Sequence, residues 1–175
     1  MCSLEKYHID LVGLKADNET FEFRLDDEFF KAVEGRDVQH GDVNAVVSVV
    51  NKGGDFILRM HVQGHVMVPC NICLEEMEQP VEADSTMTVK LGSEYAEEDD
   101  TVTVDEREGF VDVSWFLYEM IVLALPIRHV HAPGKCNPVM MKALEEHSAA
   151  RSNGGEQTAD PRWSELEKLK TILND

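Results

Sequence analysis

Three cysteines constrain this chain more than any other feature: Cys70 and Cys73, three positions apart, and Cys136 much later. A pair at this spacing can hold one metal ion or form one disulfide. A third thiol with imidazoles beside it completes a tetrahedral metal site. His129 and His131 lie shortly before Cys136. The pattern leaves three interpretations open: a metal centre, a redox pair, and cysteines that are merely buried.

Zinc is the cofactor that this set of side chains favours. Its preferred ligands are thiolates and neutral imidazoles in a tetrahedral arrangement. Cys70, Cys73 and Cys136 supply three thiols, and His131 is the predicted fourth ligand, with His129 as the alternative. A single pair with one later cysteine is a weaker signal than two pairs, so zinc binding stays a hypothesis at this stage.

The alternative function is a cytoplasmic thiol–disulfide oxidoreductase that uses the Cys70/Cys73 pair. Such pairs normally open a helix within a βαβ unit, whereas strands are predicted on both sides of this one. The carboxylates of Glu75 and Glu76 are expected to raise the pKa values of the neighbouring thiols. The sequence contains no nucleotide-binding or hydrolase motif. We therefore predict that the protein is not an enzyme.

The charge balance limits the classes of partner. The 175 residues include 34 acidic and 16 basic side chains, for a net charge of −18. Such a field repels phosphate backbones and attracts basic proteins, so we expect no DNA partner. The start of the chain lacks the pattern of a signal peptide, and the longest apolar run, residues 115–127, is too short to cross a bilayer. We expect a cytoplasmic protein with no membrane partner.

Hydrophobic patterns predict an α+β fold. Apolar residues typical of strands occur over 21–25, 43–50, 56–62 and 81–91, and a Gly-Gly turn at 53–54 predicts a hairpin. Ser114 is expected to cap a helix, apolar on nearly all sides, that runs to about Leu125. We expect a strongly twisted antiparallel sheet with this buried central helix. A sheet that curls toward a barrel is the second form that we consider.

The end of the chain is expected to be a tethered helix. Residues 1–146 are assigned to the α+β domain, 147–159 to a flexible linker and 160–175 to a C-terminal amphipathic helix. Trp163, Leu166, Leu169 and the adjacent Arg162 are predicted to bind a partner, because this apolar stripe must be buried somewhere. Folding back onto the chain's own domain is the alternative.

Four local patterns together resemble the YceD family, the large ribosomal RNA subunit accumulation proteins. They cover about residues 65–175. In order they are Cys70-Asn71-Ile72-Cys73-Leu74-Glu75, the run from Glu119 to Pro126, Cys136, and Asp160-Pro161-Arg162-Trp163 with Leu166 and Leu169.

The resemblance implies a non-enzymatic factor that large-subunit ribosomal RNA needs in order to accumulate, through processing or assembly. Family members often carry a second late cysteine near the position of Cys136. This chain has none there, which makes His129 or His131 the substitute ligand to test. The acidic charge favours a basic ribosomal protein or a pre-ribosomal particle as the partner, and direct RNA binding stays open.

Overall fold

The computed structural model describes residues 4–98 and 100–147. A short 3₁₀ turn, Leu4–Tyr7, precedes eight strands and three helices. The strands are β1 His8–Asp10, β2 Asn18–Leu25, β3 His40–Lys52, β4 Asp55–Pro69, β5 Glu76–Gly92, β6 Ala96–Glu98, β7 Thr101–Asp105 and β8 Phe110–Asp112. The helices are α1 Asp27–Val33, α2 Ser114–Ala124 and α3 Pro138–His147.

Six strands form one mostly antiparallel sheet in the order β2-β3-β4-β5-β7-β6. The β5–β7 pair is parallel, and β1 and β8 form a separate antiparallel pair. The predicted α+β class and antiparallel sheet are therefore confirmed. In the described residues β2 and β6 are free edges, so the sheet is not a closed barrel.

The long hairpin of β3 and β4 follows from its turn. Gly53 and Gly54 have φ angles of 71° and 109°, which glycine adopts at little cost. Lys52 pairs with Asp55 across the turn, and the register continues to His40 opposite Met67. Burial alternates along both strands, so one face of the hairpin supplies the core.

Helices α1 and α2 cover that core. Asp26 caps α1 by accepting hydrogen bonds from the backbone of Glu28 and Phe29. Phe29 is fully buried, as is Leu117 of α2. Helix α2 contacts α1, β4 and β5. Its Tyr118 hydroxyl accepts hydrogen bonds from two backbone N–H groups, at residues 37 and 38, in the segment after α1.

Helix α2 differs in two details from the sequence-based expectation. Ser114 does not cap it but is its first residue, and the backbone N–H of Ser114 donates to the Asp112 carboxylate. Burial is confined to one face: the side chains of Trp115 and Leu123 are 54% and 78% exposed. The prediction of a buried central helix is therefore not confirmed at these two residues.

No helix among the described residues is long and apolar enough to cross a membrane. The predicted linker, 147–159, lies outside the described residues except for His147, which ends α3. The predicted C-terminal helix, 160–175, lies wholly outside them. Both assignments stay predictions.

Candidate metal centre

The Cys70–Cys73 pair lies in the tight loop that connects β4 to β5. The backbone N–H of Cys70 donates to the carbonyl of Glu75, and that of Leu74 donates to the carbonyl of Cys70. Leu74 has a φ of 62°, in the left-handed region that residues other than glycine seldom adopt. The loop therefore turns tightly enough to point both thiols of the pair to one side.

The segment after α2 brings the other two side chains to the loop. The backbone N–H of Asn71 donates to the carbonyl of His129 over 2.9 Å. The Asn71 side-chain oxygen accepts from the backbone N–H of His129 over 2.7 Å. Farther along, the Asn137 side chain donates to the carboxylate of Glu75. These bonds hold residues 129–137 against the loop, so His131 and Cys136 face the cysteine pair.

Four side chains converge at this point: Cys70, Cys73, His131 and Cys136. Their ligand atoms all lie within 4.8 Å of one another. The sulfurs of Cys70 and Cys136 are 3.9 Å apart, and Nδ1 of His131 is 3.3 Å from the Cys73 sulfur and 3.9 Å from that of Cys136. Zinc–sulfur bonds of about 2.3 Å in a tetrahedron imply about 3.8 Å between sulfurs. The cluster has the dimensions of a Cys₃His site that could hold a metal ion.

The thiols are not paired as a disulfide. All three cysteines are free, and the 3.9 Å between the sulfurs of Cys70 and Cys136 is far beyond the length of about 2.05 Å for a disulfide bond. Cys70 and Cys73 are 0% and 2% exposed, so neither thiol is accessible to a protein substrate. A redox catalyst needs an accessible thiolate, so this burial does not favour the oxidoreductase interpretation.

The thiols of Cys70 and Cys136 have pKa values that are shifted in opposite directions. Burial raises the pKa of Cys70, but hydrogen bonds from the backbone N–H groups of Cys73, Ile72 and His131 outweigh it and lower the pKa to about 5. Burial, with the hydrogen bonds and charges of Cys70 and Cys73, raises the pKa of Cys136 to about 11. The expectation that nearby carboxylates raise the pKa is wrong for Cys70, because hydrogen bonds from backbone N–H groups stabilise its thiolate.

The structure separates the two candidate histidines. His131 belongs to the cluster, whereas Nδ1 of His129 lies 3.2 Å from the carbonyl of Pro126 and its backbone pairs with Asn71. Asn71 is a positioning residue that was not predicted from sequence, although its place between the two cysteines was a signal. The predicted partner-binding residues, Arg162, Trp163, Leu166 and Leu169, lie outside the described residues.

Comparison with protein families identifies a match that covers the cluster. The family model described as "Large ribosomal RNA subunit accumulation protein YceD" matches residues 58–170, more than half of the chain. The matched range begins within β4 and contains all four residues of the cluster. No curated protein and no solved structure matches the chain significantly.

Proposed function

The chain belongs to the YceD family of large ribosomal RNA subunit accumulation proteins, and we propose that it supports the accumulation of large-subunit ribosomal RNA without being an enzyme. The observation that carries the proposal is the family match over residues 58–170. The role would be exercised in the cytoplasm, through a basic ribosomal protein or a pre-ribosomal particle.

Charge supports a protein partner over bare RNA. A net charge of −18 repels phosphate groups and steers basic proteins toward the chain. Newly made ribosomal proteins that bind RNA are basic, so an acidic factor is suited to hold one until it is assembled. The C-terminal stripe with Arg162 and Trp163 is proposed as a second contact to the partner.

We further propose that the Cys₃His cluster holds one structural zinc ion. Four protein ligands would leave no open coordination position, which is the arrangement of structural rather than catalytic zinc sites. Cys70, Cys73, His131 and Cys136 would bind the ion and join the β4–β5 loop to the segment after α2. The ion would supply folding free energy at this junction, in addition to the hydrogen bonds of Asn71 and Asn137.

Deletion of the gene tests the proposed function. We expect less large-subunit than small-subunit ribosomal RNA in the deletion strain, and recovery when the wild-type gene is returned. A strain carrying Glu22→Gln, an exposed change on β2, is the matched control for expression. An unchanged RNA ratio, with normal subunit profiles in the cold as well, would contradict the proposal.

A further inference from the structure

Two neighbouring cavities form a groove along α2. The larger, about 500 Å³, is lined by Tyr95, Trp115 and Phe116 among others. The smaller, about 280 Å³, is lined by Phe116, Met120 and Leu123 among others. Phe116 and Glu97 line both cavities, so the two adjoin each other. We call this surface the α2 groove and define it by Tyr95, Glu97, Trp115, Phe116, Met120 and Leu123.

The floor of the α2 groove is apolar and partly open to solvent. Trp115, Leu123 and Tyr95 are among the large hydrophobic side chains that the fold leaves exposed, Tyr95 at 63%. Trp115 packs against Tyr118, with 5.5 Å between ring centroids, so its ring is supported from one side. Contiguous exposed apolar surface beside a cavity is typical of a binding site for another chain.

The rim of the groove is acidic. Glu97, Asp100, Glu108 and Glu119 line the cavities, and none of these four has an ion pair in the described part of the chain. Two further carboxylates in the lining already have partners, since Asp105 pairs with Arg107 and Asp112 pairs with His8. Neither cavity is lined by Lys or Arg in the described residues.

We infer that the α2 groove is the docking site for a basic amphipathic segment of a partner protein. Apolar side chains of the segment would fill the cavities, and its Lys or Arg side chains would meet the carboxylates of Glu97, Asp100 and Glu119. The ring faces of Trp115 and Tyr95 would add cation–π attraction. This inference rests on the proposed function in taking a basic protein as the partner, and it adds the surface that receives it.

Charge complementarity favours a basic segment over three other occupants of the α2 groove: a second copy of the chain, RNA and the chain's own C-terminal residues. A second copy of this chain also carries a net charge of −18, and RNA carries phosphates, so the rim repels both. The chain's own residues 160–175 hold four acidic and three basic side chains, which gives the rim no net attraction to them. A segment rich in Lys and Arg satisfies both the apolar floor and the acidic rim.

A defined peptide tests the inference on the full chain. The probe is a fluorescently labelled amphipathic peptide of about 14 residues, roughly four helical turns, made of Leu, Ala, Lys and Arg. Its counterpart has Glu in place of every Lys and Arg. We expect fluorescence anisotropy to detect binding of the basic peptide only, and the affinity to fall as salt is raised because the contacts are electrostatic.

Single substitutions locate the site. Glu97→Lys and Glu119→Lys should each weaken binding about tenfold, and Trp115→Ala should weaken it by a similar factor. Glu22→Lys changes the net charge equally on β2, at the opposite edge of the sheet, and should leave the affinity within about twofold. The substituted side chains at 97, 115, 119 and 22 are exposed, so circular dichroism should show unchanged folding.

Several outcomes would overturn the inference. If Glu22→Lys weakened peptide binding as much as Glu97→Lys does, net charge alone would explain the effect. If the acidic peptide also bound, the carboxylates of the rim would not determine which segment binds. Binding that appears only with Leu166→Asp and Leu169→Asp would assign the groove to the chain's own C-terminal segment. If neither the wild type nor any variant bound the basic peptide, the inference that the groove receives a basic segment would be wrong. The RNA ratio in the deletion strain is a separate result, so the proposed function and this inference can fail independently.

Discussion

The sulfur of Cys73 lies 3.3 Å from Nδ1 of His131, although the two residues are 58 positions apart. His129 lies outside the cluster, and its Nδ1 is 3.2 Å from a backbone carbonyl. The difference follows from the two hydrogen bonds between Asn71 and the backbone of His129, which hold His129 against the β4–β5 loop. His131, two residues later, then faces the thiols.

The two histidines therefore predict different zinc contents. His131→Ala removes a ligand, so the purified variant should hold much less than the roughly one zinc per chain expected of the wild type. His129→Ala is the matched control and should retain its zinc. Elemental analysis of protein purified without chelator measures both. Equal zinc content in the two variants would contradict the assignment of His131.

Removal of the metal should lower stability. Cys73→Ser, or treatment of the wild type with a chelator, should cost at least about 2 kcal/mol of unfolding free energy, hence roughly 4–8 °C in melting temperature. Cys2→Ser, at the fourth cysteine of the sequence, is the control. Added zinc should restore the chelated wild type but not Cys73→Ser. If the metal-free protein had an unchanged melting temperature, the zinc hypothesis would be contradicted and only the interpretation of merely buried cysteines would remain.

The contact between Gly35 and Tyr118 predicts a steric penalty. A Cβ atom at Gly35 would lie 2.0 Å from the Tyr118 ring, so the ring or the backbone would have to move. We expect Gly35→Ala to destabilise the protein by about 1–3 kcal/mol in chemical denaturation. In the background of Tyr118→Ala the same methyl group should cost much less. Additive effects of the two changes would show that the ring is not the obstacle.

The carboxylate of Asp27 predicts part of the acid sensitivity. It accepts a hydrogen bond from the backbone N–H of Gly41 over 3.1 Å and lies 3.3 Å from Nδ1 of His40. The bond from Gly41, followed by the interaction with His40, lowers the pKa of Asp27. A pKa lowered by folding contributes stability above the unfolded value, about 3.9, and that stability is lost as the pH falls through the folded value.

Asp27→Asn should therefore flatten the fall of stability below about pH 4. The amide can still accept from Gly41, so the comparison isolates the charge. Urea denaturation at a series of pH values measures the slope, and Glu22→Gln serves as the control. An equally steep fall in Asp27→Asn would contradict a contribution from this carboxylate.

Local chemistry made parts of the fold predictable from sequence. The hairpin at Gly53 and Gly54 requires φ angles that glycine adopts readily, so it was predicted at the correct place. The three cysteines of the cluster were also identified from their spacing. His131 was predicted as the fourth ligand with His129 as the alternative, and no local pattern decided between them, because the choice depends on backbone bonds to Asn71 from a distant segment.

Strand pairs between segments that are distant in sequence were not predicted. The parallel alignment of β5 with β7 and the separate β1–β8 pair depend on contacts that no local pattern encodes. The apolar surface of α2 predicted burial on all sides, yet Trp115 and Leu123 are exposed. An apolar residue reports a preference for burial, whereas the surface that buries it can belong to another molecule.

The C-terminal segment carries the last prediction. Trp163, with Leu166 and Leu169, is predicted to dock on a partner, and these residues lie outside the described part of the chain. A Trp that packs in the chain's own core typically costs about 3–5 kcal/mol when it is truncated to Ala. A Trp at the centre of an interface instead costs binding and little stability. Trp163→Ala should therefore melt within about 2 °C of the wild type and lose co-sedimentation with pre-ribosomal particles. Glu165→Gln, a neighbouring change off the stripe, should behave as the wild type in both measurements. A large fall in melting temperature with undiminished co-sedimentation would instead mean that the segment folds back on its own domain.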